Sequence, residues 1–171
     1  QGLVVDQPHF GDYMDVVLQA PITTFHGFCA MLIRQYGFYL EMSPLSRVLS
    51  EDESLFLIQQ ACQALLQELA DQHDEDLMVF LAIHSESRLY RDLLTCFQKR
   101  ATITAFSPTA THSLTPLSRV VLALFRQALA RYQQLKYQQA VLDYDDLIAQ
   151  ASLLLDLPEV QQVLQTQYRY M

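Results

Sequence analysis

Glycine is scarce in this sequence, and nucleotide-binding loops need it. The four glycines are Gly2, Gly11, Gly27 and Gly37, and none of them is followed by lysine. The chain therefore contains neither the G-x-x-x-x-G-K-[ST] loop that cradles nucleotide phosphates nor a G-x-G-x-x-G loop. Within these 171 residues we expect no cofactor and no ATP site of the usual kind.

Cysteine and basic residues are also few. Cys29, Cys62 and Cys96 are widely spaced, odd in number and without a C-x-x-C pair, so neither a disulfide framework nor a zinc knuckle is predicted. A reducing, cytoplasmic location fits this pattern best. Eleven Lys and Arg against nineteen Asp and Glu give a net charge of -8, which argues against a freestanding nucleic-acid binder.

Long apolar runs are missing as well, although half of the residues are hydrophobic. No run approaches the roughly 18 apolar residues of a membrane span, and no basic segment followed by an apolar one opens the chain. We expect no membrane association and no signal peptide. The length suits one domain, or one domain with pieces of a neighbour.

Leucine, glutamine and alanine are abundant, and their spacing predicts an all-α fold, an irregular bundle of six to eight helices. Ser50 and Glu53 are in capping-box register, and Thr115 precedes Pro116 as an N-cap precedes a proline in the first turn. Residues 22–24 are predicted as a short strand or an extended lead-in, and 101–115 as a loop. Residues 13–18 offer an amphipathic turn or two. The predicted helices span 25–36, ending at Gly37, 50–72, 77–83, 86–100 and 116–135, with two more starting at Asp143 or Asp145 and at Pro158.

Two acidic stretches are candidate cation sites. The cluster at 71–76 lacks the glycine and the distal glutamate of a calcium loop, so a solvated loop is favoured and no metal is assigned. Asp143, Asp145 and Asp146 could coordinate magnesium, but acidic residues at a helix start also cap the helix and complement its dipole. Spacing alone favours capping.

The remaining candidates are ambiguous from spacing alone. Arg88, Arg91, Lys99 and Arg100 form the only local concentration of basic residues and are candidate phosphate contacts, although a solvated helix face is the commoner outcome for such a run. His26 fits a structural histidine better than a catalytic one. Phe25, Phe28 and the three cysteines fit a core. No nucleophile or acid–base pair can be named, so no catalytic residue is predicted.

Three segments together resemble one family. "ITTFHGFCAMLIRQYG" at 22–37 resembles the T-x-H-x-F-C segment in the first motor domain of UvrD-type superfamily-one DNA helicases. With a glycine directly after His26, the segment resembles that of the RecB and AddA helicase-nucleases in particular. "SPLSRVLSEDES" at 43–54 is similar to the link into the helical insertion of that family. The stretch 131–171 is similar to the one just before the acidic ATPase motif, with its signature at 143–147 and an ending at Arg169 and Tyr170.

The resemblance implies an internal fragment between the phosphate-binding loop and the Asp-Glu ATPase motif. Residues 1–36 would be a lead-in and a piece of the first RecA-like motor domain, 37–140 the accessory helical domain, and 141–171 helices returning to the motor. Thr24, His26 and Phe28 would contact DNA and couple it to the motor. The return to the motor would be marked by Asp143, Tyr144, Asp145 and Asp146.

The parent protein implied by this resemblance is an ATP-dependent DNA helicase, with an exonuclease if it is a RecB or AddA relative, in DNA recombination and double-strand-break repair. It would use ATP and Mg, act on single-stranded and duplex DNA, and work with its other motor and nuclease domains and a partner subunit. The fragment alone would have no activity. Two alternatives stay open: a freestanding all-helical protein-interaction module, and a DNA-binding accessory domain with activity of its own.

Overall fold

The computed structural model describes residues 22–42, 46–105 and 115–167. These residues form eight α-helices, one 3-10 turn at Gly37–Leu40 and a pair of two-residue strands. The all-α prediction is confirmed. In chain order the elements are α1 (Phe25–Tyr36), β1 (Arg47–Val48), α2 (Glu51–Asp71), α3 (Glu75–Leu81), α4 (Glu86–Gln98), α5 (Arg100–Ala105), α6 (Pro116–Gln139), β2 (Val141–Leu142), α7 (Tyr144–Leu155) and α8 (Pro158–Gln167).

Polar side chains begin most of these helices, because a side-chain oxygen can accept from one of the unpaired N–H groups of the first turn. The predicted capping box is present: Ser50 Oγ accepts from the Glu53 N–H, and the Glu53 carboxylate accepts from the Ser50 N–H. The predicted start at Thr115 and Pro116 is also confirmed. The caps that accept from the third helical N–H are Thr24, Ser50, Asp74, Ser85, Thr115 and Asp143.

Apolar side chains form two separate cores. The larger core lies among α2, α3, α4 and α6, and its large aromatic members are Phe80, Phe97, Phe125 and Tyr132. The smaller core joins α1 to α7 and α8, which lie at opposite ends of the described sequence. Its fully buried members include Leu32 and Leu154. The two cores thus separate the helices between β1 and β2 from those outside them.

The two short strands bring the ends of the intervening helical segment together. β1 and β2 pair in parallel, with Arg47 opposite Val141 and Val48 opposite Leu142. The Leu49 N–H donates to the Leu142 carbonyl at 2.8 Å. The chain therefore leaves for α2–α6 and returns from them at adjacent points, as expected of an inserted unit.

One of two open alternatives is decided, and two local predictions are corrected. Among the described residues, 22–24 pair with no strand: they are the extended lead-in, with Thr24 at φ -72 and ψ 164. Residues 101–105 are helical rather than a loop, and the Thr104 hydroxyl donates to the Arg100 carbonyl at 2.8 Å. Phe25 is 65% exposed because the buried face of α1 begins one turn later, at Cys29.

Residues 13–18, 106–114, Arg169 and Tyr170 lie outside the described residues.

Candidate functional site

His26 and Tyr144 are in ring contact, although they are far apart in sequence. Their ring centroids lie 4.7 Å apart and the planes are tilted by 42°. His26 lies in the first turn of α1, and Tyr144 is the first residue of α7. The contact follows from the packing of α1 on α7 through the smaller core. The T-x-H-x-F-C segment and the D-Y-D-D segment therefore form one surface.

We call this surface the aromatic patch, and it consists of Phe25, His26 and Tyr144. The Phe25 and His26 rings are in an edge contact, with centroids 6.1 Å apart and planes at 73°. Phe25 is 65% exposed, Tyr144 is 37% exposed and His26 is half-buried. The patch offers aromatic faces and edges to solvent at the N-terminal ends of two helices.

The other predicted residues of α1 have different environments. Thr24 is exposed, and its hydroxyl oxygen accepts from the Gly27 N–H at 3.1 Å. A Cβ at position 27 would collide with the Thr23 hydroxyl, so glycine leaves room for that side chain. Phe28 is half-buried and packs on the smaller core. Thr24 and His26 thus reach the surface, whereas Phe28 connects it to the interior.

Buried polar groups lie directly beside Tyr144, around Asp143. One carboxylate oxygen of Asp143, Oδ2, accepts from the Tyr132 hydroxyl at 2.7 Å, from Lys136 Nζ at 3.0 Å and from an Arg100 Nη at 3.2 Å. The other, Oδ1, accepts from the Asp146 N–H at 2.9 Å. We call these residues the charge cluster: Arg100, Tyr132, Lys136, Asp143 and Asp146.

Lys136 is the central cation of the charge cluster and is only 3% exposed. Its Nζ donates to Asp143 and, at 2.5 Å, to Asp146 Oδ2, and it lies 4.6 Å from the centroid of the Tyr132 ring. Two cations and two carboxylates balance within the cluster. A buried ion is tolerated only with such pairing, because leaving water is costly for each charge.

The charge cluster changes the protonation of its members. Burial alone would raise the pKa of Asp143, but hydrogen bonds from Tyr132 and the Asp146 backbone, together with Lys136, hold that pKa below its ordinary value. Burial raises the pKa of Tyr132 well above its ordinary value, and the neighbouring Asp143 carboxylate raises it further. Asp143 is therefore a carboxylate and Tyr132 a neutral donor at neutral pH.

Comparison with known families shows which family the chain belongs to. The UvrD/REP helicase N-terminal domain matches residues 11–171, nearly the whole chain. The chain belongs to this family. The resemblance noted from its motifs is thereby confirmed.

Individual relatives of this UvrD/REP chain carry a more specific name, that of one subunit of an ATP-dependent helicase/nuclease. The chain is 27% identical over 109 residues to this protein from Bacillus cereus (strain AH187) and to that from Bacillus thuringiensis subsp. konkukian (strain 97-27). Each match covers 52% of this chain and 9% of the relative, so the chain corresponds to a small part of those proteins. No solved structure matches the chain.

The four candidate phosphate contacts of this UvrD/REP chain have different surroundings. Arg88 Nε donates to both carboxylate oxygens of Asp92 at 3.1 Å, and Arg91 Nε donates to the Ser87 carbonyl at 3.4 Å. Lys99 is exposed at the C-cap of α4. Arg100 differs from these three because its guanidinium lies between Asp143 and, at 2.7 Å, the exposed Asp145.

Three residues of the two acidic stretches take part in helix caps. Asp143 and Asp146 form a capping box at the start of α7, which confirms the capping interpretation, and Asp74 caps α3. The carboxylates of Asp143 and Asp146 are already bound by Lys136. In the part of the chain that the structure describes, no three His, Cys, Asp or Glu side chains are grouped to hold a metal ion, and no helix is long and apolar enough to cross a membrane.

Sequence reasoning missed Tyr132 and Lys136 as parts of this site. Tyr132 fits the apolar stripe of α6, and it is indeed fully buried. Lys136 follows it by four residues, so both lie on the same helix face. A lysine on an otherwise apolar stripe indicates a buried cation that needs a carboxylate, and the structure supplies Asp143 and Asp146.

Proposed function

We propose that this chain is part of an ATP-dependent DNA helicase and exonuclease of the RecB and AddA type, which acts in DNA recombination and double-strand-break repair. The family match and the names of the relatives support this proposal. The observation that carries it is the contact of His26 with Tyr144, since it joins the two segments that resemble the helicase motor. The chain lies between the phosphate-binding loop and the Asp-Glu motif of that motor.

The division of the chain is part of the proposal. Residues 1–36 and 141–171 are pieces of the first RecA-like motor domain, and 37–140 are the accessory helical domain. The smaller core supports this division because it joins α1 to α7 and α8 without the intervening helices. The pairing of β1 with β2 supports it too, because it closes the base of the inserted helices. ATP and Mg bind outside this chain, in the rest of the parent protein.

The aromatic patch is the proposed contact with single-stranded DNA. Exposed aromatic rings stack on bases whatever the sequence, and each stacked base contributes about 1–3 kcal/mol. Thr24 and His26 place polar hydrogen-bonding groups beside these rings, at a helix N-terminus that favours anions such as phosphate. Phe28 packs on the smaller core and links this surface to α7. A net charge of -8 argues against binding through phosphate contacts, but stacking on bases needs few cations and is compatible with it.

The exposed basic residues Arg88, Arg91 and Lys99 are proposed as further phosphate contacts of the accessory domain. Their contribution is electrostatic and decreases steeply with salt. Arg100 is assigned to the support of α7 instead, because two carboxylates already hold its guanidinium.

The test is ATP hydrolysis by the full-length protein that contains this chain. We expect single-stranded DNA to stimulate hydrolysis, and the isolated chain to hydrolyse no ATP with or without DNA. A full reading frame with no phosphate-binding loop upstream and no Asp-Glu motif downstream would contradict the proposal. It would favour the freestanding protein-interaction module instead.

A further inference from the structure

We infer that Lys136 and Arg100 are positioning residues, which act through the charge cluster to fix Tyr144 in the orientation that the proposed DNA contact needs. This inference rests on the proposed function of the aromatic patch. Neither residue is assigned a direct contact with DNA. Lys136 is 3% exposed, so its ammonium group cannot reach a ligand on the surface.

The geometry holds Tyr144 from both sides. Asp143 and Asp145 are its chain neighbours, and the Arg100 guanidinium binds both carboxylates, at 3.2 and 2.7 Å. Lys136 binds Asp143 and Asp146 together, at 3.0 and 2.5 Å. The first turn of α7 is thus held by ion pairs before and after the residue that carries the exposed ring.

The cations come from a different part of the chain than the ring they support. Arg100 begins α5 and Lys136 lies near the end of α6, within the helices that β1 and β2 enclose. Tyr144 and its neighbour His26 belong to the helices of the smaller core. A displacement of α6 relative to α7 would therefore move the Tyr144 ring away from His26. The charge cluster links the position of the helical segment to the shape of the aromatic patch.

Stability alone is a weak explanation for such a cluster. Replacing a buried ion pair by well-packed apolar residues often leaves the stability unchanged or raises it. Apolar side chains do not carry the desolvation cost that the two ions carry when they are buried. Directional bonds to both carboxylate oxygens of Asp143 instead fix the orientation of the first turn of α7. Orientation is what a stacking ring requires, since its face must be parallel to the base.

The experiment is a double-mutant cycle on the affinity of the full-length protein for a short single-stranded DNA. Tyr144→Ala should weaken binding about tenfold by removing a stacking ring. Lys136→Met should weaken it by a similar factor, although its side chain is buried. The double variant should bind no more weakly than Tyr144→Ala alone, because Lys136 acts through that ring.

Arg131→Met is the matched control. It also removes a cation of α6 that pairs with a carboxylate on another helix, Glu68, but it lies outside the charge cluster. We expect it to bind DNA like the wild type. Equal losses from Lys136→Met in the presence and absence of Tyr144, or no loss in a folded Lys136→Met protein, would overturn the inference.

Arg100→Gln replaces Lys136→Met if the latter does not fold, since Arg100 is 20% exposed and less deeply enclosed. Its loss of affinity should also vanish in the Tyr144→Ala protein. A loss that persists there, with a salt dependence reduced by about one phosphate contact, would instead make Arg100 a direct contact and overturn its positioning role. Wild-type affinity of Tyr144→Ala would overturn the proposed DNA contact itself, which separates that failure from failure of the inference.

Discussion

Lys136 Nζ and Asp143 Oδ2 lie 3.0 Å apart, and the two side chains are only 3% and 2% exposed. The lysine comes from the end of α6 and the aspartate from the start of α7. Each charge is held in the interior by the other. Removal of Asp143 would leave Lys136 with Asp146 alone, and removal of Lys136 would leave Asp143 with Arg100. Either change leaves a buried ion with less compensation, which is the costly case for a buried salt bridge.

Asp143→Ala should therefore lower the free energy of unfolding by about 3–5 kcal/mol, because it leaves Lys136 buried with less compensation and removes the cap of α7. Urea unfolding followed by circular dichroism measures the change. Asp92→Ala is the matched control, since it breaks the solvent-exposed pair with Arg88 and should cost less than about 1 kcal/mol. Equal effects of the two substitutions would mean that the buried position of Asp143 is unimportant.

Acid should destabilise the protein partly through Asp143. Its pKa in the folded protein is below the ordinary value of 3.8, so the unfolded chain takes up the proton first as the pH falls. The stability that Asp143 contributes is complete above that ordinary value and is lost as the pH decreases through it towards the lower folded pKa.

Asn at position 143 keeps a capping side chain but cannot titrate. The range from about pH 5 to pH 3 spans the titration of an aspartate. Over this range, the urea midpoint of Asp143→Asn should therefore change less than that of the wild type. Parallel pH profiles would show that another group causes the acid sensitivity.

Tyr132→Phe removes two hydrogen bonds of a buried hydroxyl, the one to Asp143 and one with Ser54. The ring stays in its edge contact with Phe97, at a centroid distance of 5.7 Å, but the hydroxyl donor to Asp143 is lost. Because the acceptor is charged and buried, the free energy of unfolding should decrease by about 2 kcal/mol. Tyr137→Phe, at a position 88% exposed, should change it by less than about 0.5 kcal/mol. A decrease of the same size in both proteins would remove these hydrogen bonds as the cause.

The cysteines should react with iodoacetamide in a fixed order. Burial raises the pKa of Cys62 to about 11 and also raises that of Cys29. Cys96 is only partly buried, although burial and then Asp92 raise its pKa too. In the native protein at pH 8, Cys96 should therefore be modified first. Cys29 and Cys62 should react only as fast as the protein unfolds and exposes them. Mass spectrometry of peptides measures the order, and early modification of Cys62 would contradict its place in the core.

The helices and their caps could be predicted because their determinants are local. Ser50 with Glu53, and Thr115 with Pro116, lie within one turn of each other, so spacing alone identifies them. The exposure of Phe25 could not be predicted this way, because spacing does not show that the buried face of α1 begins only at Cys29.

The candidate site was less accessible to sequence reasoning because its bonds are long-range. The contact of His26 with Tyr144 joins residues from the two ends of the described chain, and only the family resemblance placed both in one motor. From the sequence, Arg100 is expected to be a surface cation, because its partners Asp143 and Asp145 lie far from it along the chain. Charge patterns along the chain do not show such pairing.

The affinity of full-length Tyr144→Ala for single-stranded DNA tests the central claim most directly. Fluorescence anisotropy with a labelled oligonucleotide should show binding about tenfold weaker than that of the wild type, whereas Tyr144→Phe, which keeps a stacking ring, should bind nearly as well. Tyr137→Ala removes another exposed tyrosine, outside the aromatic patch, and should leave the affinity unchanged. Unchanged affinity of Tyr144→Ala, in a protein that is folded and binds DNA, would contradict the account.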